Sequence, residues 1–132
     1  MLTADYYKRN SVVNLNVDEE ILHPQIIKAQ NVRIEKILGT NLFDTVLAEI
    51  DAQTYTARIT TLLEDYIQPA LVEWITYTAL PYLNYKLTNK SVSKKSSDNS
   101  EPSDLDEVNY LRQNIRDDAE YYSERITKFL ET

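Results

Sequence analysis

The chain contains a single glycine, Gly39, which separates two stretches with the apolar periodicity of a helix. The apolar positions are Ile26, Ile27, Ile34, Ile37 and Leu38 before it, and Leu42, Phe43, Val46, Leu47 and Ile50 after it. Glycine suits the position just past a helix end, because a left-handed backbone costs it no steric strain. Asn41 suits the next N-cap, with Asp44 three residues on as the reciprocal acceptor. The spacing therefore predicts a helical hairpin with its corner at Gly39.

Long helices are also expected in the rest of the chain, since one glycine and four prolines leave few places for tight turns. We expect Thr54 to cap a third helix, and Pro69 to interrupt it. A fourth, central helix over about 70–87 should be kinked by Pro81. Ser103 should cap a long last helix. The pattern predicts an all-α bundle of about five helices, with a long C-terminal helix and a polar loop before it.

Two segments depart from this helical pattern. Residues 88–103 are rich in serine and lysine and predict a polar loop. Residues 1–17 show no steady period, and two interpretations are open: a frayed terminus, or an N-terminal arm that lies on a neighbouring subunit. We divide the chain into that arm, 1–17, and a helical domain, 18–132.

Composition argues against most catalytic and metal chemistry. The chain has no cysteine and one histidine, His23, so it offers no thiolate site and no motif for acyl transfer. Glu20 and His23 match the Glu-x-x-His spacing of di-iron bundles, but such a site needs that motif twice. One glycine cannot form a phosphate-binding loop. We therefore expect no enzyme, no cofactor and no metal.

The net charge of -7 argues against nonspecific binding to DNA or to anionic membranes. No apolar run approaches the roughly 20 residues of a membrane helix. Ten tyrosines against two phenylalanines and one tryptophan favour a surface that a partner covers, with half-buried core tyrosines as the alternative. The candidate interface residues are Tyr6, Tyr7, Lys8, Arg9, Lys90, Lys94, Lys95, Tyr121 and Arg125.

Several short motifs resemble the head–tail connector (adaptor) proteins of tailed bacteriophages. They are Ala29-Gln30, Ile37-Leu38-Gly39, Leu42-Phe43, Tyr66-Ile67-Gln68-Pro69-Ala70-Leu71, Thr88-Asn89-Lys90 and Ala119-Glu120-Tyr121. The likeness covers about residues 18–132 and is closest to forms in phages of gut Bacteroidales, including the crAss-like group. Ser91 stands where that family usually has a glycine.

The resemblance implies a structural virion protein of the neck and tail region, assembled in the host cytoplasm. It implies a homo-oligomeric ring, dodecameric in the family, that lies beneath the portal, joins head to tail and binds the next neck or tail protein. Genomic DNA would pass through the channel without sequence-specific binding, and no membrane partner is implied. The alternative from a different class is a monomeric or dimeric helical regulatory module that binds one protein.

Overall fold

The computed structural model describes residues 1–11, 19–94 and 101–132. For 82–94 and 101–105 only the backbone is described. The described residues form five continuous helices and no strand. Helix α1 is Ala4–Asn10, α3 is Thr40–Ala52 and α5 is Glu101–Leu130. Helix α2 runs from Glu19 to Leu38 as Glu19–Ala29, a π-helical turn at Gln30–Ile34, and Glu35–Leu38. Helix α4 likewise consists of Ala57–Thr61, a π-helical turn at Leu62–Ile67, and Gln68–Lys94. The all-α bundle with a long C-terminal helix is confirmed.

Gly39 forms the predicted corner between α2 and α3. Its φ of 83° is positive, but its ψ of 155° lies outside the left-handed helical region. Its N–H donates to the Glu35 carbonyl at 2.8 Å, and its carbonyl accepts from the Phe43 N–H at 3.0 Å. Gly39 therefore ends one helix and is itself the N-cap of the next. The predicted capping pair of Asn41 and Asp44 is wrong, because the N-cap is Gly39, two residues before Asn41, and α3 begins at Thr40.

Pro69 does not interrupt a helix, contrary to expectation. The π-helical turn directly before it changes the backbone pairing, so that the Gln68 N–H donates to the Leu63 carbonyl five residues back. This wider turn accommodates a residue that has a ring and no N–H. Pro81 lies inside helix α4, as expected. The N-cap of α4 is Thr56 rather than Thr54, since the Thr56 hydroxyl accepts from the Ile59 N–H at 3.2 Å.

Helices take up both ends of the segment expected to be a polar loop. Helix α4 extends to Lys94 and α5 begins at Glu101, two residues before the predicted cap at Ser103. Residues 88–94 contain neither glycine nor proline, and serine and lysine cost a helix only tenths of a kcal/mol each. Pro102 lies in the first turn of α5, where proline is tolerated. Residues 95–100 lie outside the described residues.

Residues 1–11 of the N-terminal segment pack on the helical domain of their own chain, while the division into an arm and a domain stays a prediction. Tyr7 on α1 is fully buried. Its hydroxyl lies 2.5 Å from that of Thr76 on α4. The side chain of Gln30 is buried, and its amide oxygen accepts a hydrogen bond from the Met1 amino group at 3.0 Å. Residues 12–17, which complete the predicted arm, lie outside the described residues.

Helix α4 is the central element, packed along α5 on one side and against α2 on another. The Trp74 indole N–H on α4 donates to the Ser123 hydroxyl on α5 at 2.8 Å and ties the two longest helices together. The core includes Leu22, Ile26, Ile34, Phe43, Val46, Ile67, Leu71, Trp74, Ile75, Ile115, Ala119 and Ile126. In the described part of the chain, no helix has the length and apolarity to cross a membrane.

Candidate interaction surfaces

A groove of about 240 Å³ opens where α2, α4 and α5 meet. Its lining residues are Lys28, Val32, Arg33, Tyr77, Thr78, Pro81 and Arg112. We call it the basic groove, because it carries three cationic side chains and no carboxylate among these residues. At this volume it is smaller than the roughly 300–1,000 Å³ typical of pockets for drug-sized ligands. It therefore suits a protein side chain better than a small molecule.

Aromatic rings hold the arginines of the basic groove in place. The Arg33 guanidinium carbon lies 4.3 Å from the centroid of the Trp74 ring and 5.8 Å from that of Tyr77. Arg112 lies 4.1 Å from the Tyr77 centroid, and its Nε donates to the Tyr77 carbonyl at 3.3 Å. Trp74 and Tyr77 are themselves packed edge to face. Stacking on aromatic faces positions both cations while leaving guanidinium N–H groups free to bind an anion.

The charges of the basic groove are not balanced by described carboxylates. Within the described residues, the ion pairs are Lys8 with Glu19 at 3.7 Å and Arg116 with Glu120 at 3.1 Å. In the second pair the Arg116 Nε donates to the Glu120 carboxylate, and this hydrogen bond raises the pKa of Arg116. None of the three groove cations forms such a pair with a described residue.

The solvent-facing side of α5 carries the opposite charge. Asp117, Tyr121 and Glu124 follow one another at spacings of four and three residues, so they form one exposed stripe, which we call the acidic face. Tyr121 is 59% exposed, and its ring contacts only the edge of Tyr122 among described rings. Asp117 accepts a hydrogen bond from Gln113 at 3.1 Å.

A second acidic feature lies beside this face. Glu73 on α4 is half-buried. Burial raises its pKa, and the nearby charge of Asp118 on α5 raises it further. Two carboxylates in this arrangement repel each other when both are ionised.

The candidate interface residues of the N-terminal segment separate in the structure. Tyr7 is a core residue of its own chain, so its assignment to a partner surface is wrong. Lys8 forms the ion pair with Glu19, and Arg9 is exposed. Tyr6 is half-buried and lines a groove of about 380 Å³ between the N-terminal residues, α3 and α4.

The remaining candidates lie on α4 and α5. Tyr121 belongs to the acidic face. Arg125 is half-buried with its guanidinium 5.1 Å from the Tyr66 ring, so it already has an intramolecular aromatic partner. The backbones of Lys90 and Lys94 lie in α4, and Lys95 lies outside the described residues. The structure does not bring these lysines and the N-terminal candidates into one described site.

Sequence reasoning missed the cations of the basic groove. Lys28 and Arg33 are five residues apart, which would separate them widely around a regular α-helix. The π-helical turn at Gln30–Ile34, which contains Arg33, pairs residues five apart, and both side chains line the groove. Arg112 comes from a helix 79 positions further along the chain, and no local pattern connects it to Arg33.

A model of the protein family DUF6712 matches residues 34–132, three quarters of the chain. The chain belongs to this family. DUF6712 is described as a family of unknown function, so membership assigns no activity. No curated protein and no solved structure matches the chain. The DUF6712 match contains Arg112 and the acidic face, whereas Lys28 and Arg33 precede it. Among the described residues, no group of three or more histidine, aspartate or glutamate side chains could hold a metal.

Proposed function

We propose that this chain is a structural virion protein that forms an oligomeric ring beneath the portal of a tailed bacteriophage. In this role it joins head to tail and extends the DNA channel. The motif resemblance supports the assignment, and its residues fall at landmarks of the fold, such as the Gly39 corner and the π-helical turn before Pro69.

The observation that carries the proposal is the exposure of large apolar and aromatic side chains at two separate places. Helix α5 exposes Tyr110 (72%) and Tyr121 (59%), while α2 exposes Ile27 (42%) and Val32 (51%). Exposed aromatic and apolar groups are typical of surfaces that a partner covers. A subunit in a ring needs two different lateral surfaces, because each copy contacts one neighbour on either side.

The acidic character of the chain is compatible with a DNA channel. A net charge of -7 repels the phosphate backbone, so a duplex would slide past the subunits rather than bind them. The dodecameric copy number and the neighbours, portal on one side and the next neck or tail protein on the other, come with the resemblance.

The test is co-sedimentation of the purified chain with the portal protein encoded in the same genome. We expect the wild-type chain to sediment with the portal. A variant with Tyr110→Ser and Tyr121→Ser should assemble poorly. Tyr55→Ser is the matched control, because Tyr55 is 47% exposed but lies between α3 and α4. A chain that stays monomeric and ignores the portal would refute the connector assignment and favour the monomeric or dimeric regulatory module.

A further inference from the structure

We infer that the basic groove of one subunit binds the acidic face of helix α5 from a second copy of this chain. This contact would be the lateral interface of the ring, and the inference therefore rests on the proposed function. Both surfaces are present on every copy, so each subunit would bind one neighbour through its groove and the other through its acidic face.

Charge complementarity selects this occupant. Arg33 and Arg112 flank the same Tyr77 ring, which places their guanidinium carbons within about 10 Å of each other. This separation is roughly one Debye length at 0.1 M salt, so the two like charges still repel. An incoming carboxylate would relieve that repulsion. On the acidic face, Asp117 and Glu124 are seven residues apart, about 10 Å along a helix, so the face carries two carboxylates for the two arginines.

The groove also has a place for the tyrosine of the acidic face. Tyr121 lies between Asp117 and Glu124 on the stripe, and the groove presents the apolar surfaces of Val32 and Pro81. Val32 is 51% exposed in the isolated chain. An aromatic anchor flanked by charge pairs is the composition that protein interfaces favour.

The two surfaces face different directions, which a ring requires. Arg112 and Asp117 are both on α5 and five residues apart, so they are separated by about 140° around the helix axis. A groove and a face that point apart form a head-to-tail contact, and such contacts close into a ring when the rotation closes. DNA is a poorer occupant than a second copy, since the groove has three cations on a chain with a net charge of -7.

The test uses two charge-reversed full-length chains. The groove-reversed chain carries Lys28→Glu and Arg112→Glu, and the face-reversed chain carries Asp117→Lys and Glu124→Lys. We leave Arg33 unchanged because it packs on the buried Trp74. Circular dichroism checks folding, and Lys28→Glu alone serves as a milder groove variant, because Lys28 is exposed and has no described partner. Lys36→Glu, an exposed cation elsewhere on α2, is the matched control.

Each reversed chain alone should associate at least roughly tenfold more weakly than wild type, because like charges then meet at every contact. A one-to-one mixture should recover assembly, with the two chains alternating around the ring, since each reversed groove then meets a reversed face. Native mass spectrometry counts both chains in the mixed ring. Rings that both reversed chains form alone as readily as wild type, or a mixture that does not recover assembly, would overturn the docking assignment.

The outcomes for the two proposals are separable. If wild type forms rings, alone or on the portal, and charge reversal leaves them unchanged, only the docking assignment fails. If wild type forms no ring in either condition, the connector assignment fails and the docking assignment fails with it. The Lys36→Glu control should assemble as wild type does, and a loss there would show a general charge effect rather than a specific groove.

Discussion

Replacing Tyr7 tests whether the N-terminal segment is part of the folded core. Tyr7 is fully buried, and it packs in the same cluster as Leu22, Ile26 and Ile75. The Thr76 hydroxyl donates to the Val72 carbonyl at 3.0 Å, so the Tyr7 hydroxyl is the donor in its bond to Thr76. Both the ring and the hydroxyl therefore contribute to stability.

The two contributions can be separated by two substitutions. Tyr7→Ala removes a buried aromatic ring and should lower the free energy of unfolding by about 3–5 kcal/mol. Tyr7→Phe keeps the ring and removes the hydroxyl with its hydrogen bond to Thr76, so it should cost at least about 0.5–1.5 kcal/mol. Tyr121→Ala is the matched control, and it should change stability by less than about 0.5 kcal/mol because the side chain is largely exposed.

Urea denaturation followed by circular dichroism measures these differences. With a slope of about 2 kcal/mol per M, Tyr7→Ala should move the midpoint down by about 2 M. A Tyr7→Ala midpoint equal to that of wild type would refute the packing of α1 on this domain and would favour a frayed terminus or an arm that lies on a neighbouring subunit.

The same residue predicts a pH effect. Burial is the main cause that raises the pKa of Tyr7 above its ordinary value of 10.0. The stability that comes from its neutral hydroxyl is therefore fully present below pH 10 and is lost as the pH rises through the higher folded-state pKa. Tyr7→Phe should weaken this alkaline loss of stability. An unchanged profile would contradict the burial.

Three further predictions concern other parts of the fold. Gly39→Ala should cost about 1–3 kcal/mol, because the φ of 83° strains any side chain although an added Cβ would meet no atom within 4 Å; an unchanged thermal midpoint would contradict the corner geometry. Ser123→Ala should cost about 1–3 kcal/mol by leaving the Trp74 indole N–H without its partner, and Ser123→Thr, which keeps a hydroxyl, should recover part of that loss in urea denaturation. Glu73→Gln should raise the unfolding midpoint at pH 7, because it removes an ionised carboxylate that burial and Asp118 disfavour in the folded state. The gain should disappear below about pH 4.5, where Glu73 is protonated in both the folded and the unfolded chain. A gain that is independent of pH would exclude charge as its cause.

Helical periodicity was sufficient to predict the fold class, because apolar spacing and the lack of turn residues are local signals. The corner at Gly39 followed from the same reasoning. Helix ends were predicted less well, since several residues near each end can serve as caps. Thr56 rather than Thr54 caps α4, because the backbone at Thr56 is extended and its hydroxyl reaches the Ile59 N–H.

The π-helical turns could not be read from the sequence, and they account for the main differences. Such a turn shifts the helical register, which lets α4 continue past Pro69 and turns Arg33 toward the basic groove. The sequence flagged Tyr121 as an interface candidate from composition, and the structure leaves it exposed. The basic groove itself depends on contacts between distant helices, so no local pattern could predict it.

The most direct test of the central claim is the native mass of the purified wild-type chain, alone and with the portal from the same genome. The account predicts a closed ring, twelve times the 15.4 kDa mass of one chain, that forms alone or on the portal. Raising the salt concentration should weaken that ring, because opposite charges hold the lateral contacts together. A mass of one or two chains that does not change when the portal is added would contradict the connector assignment.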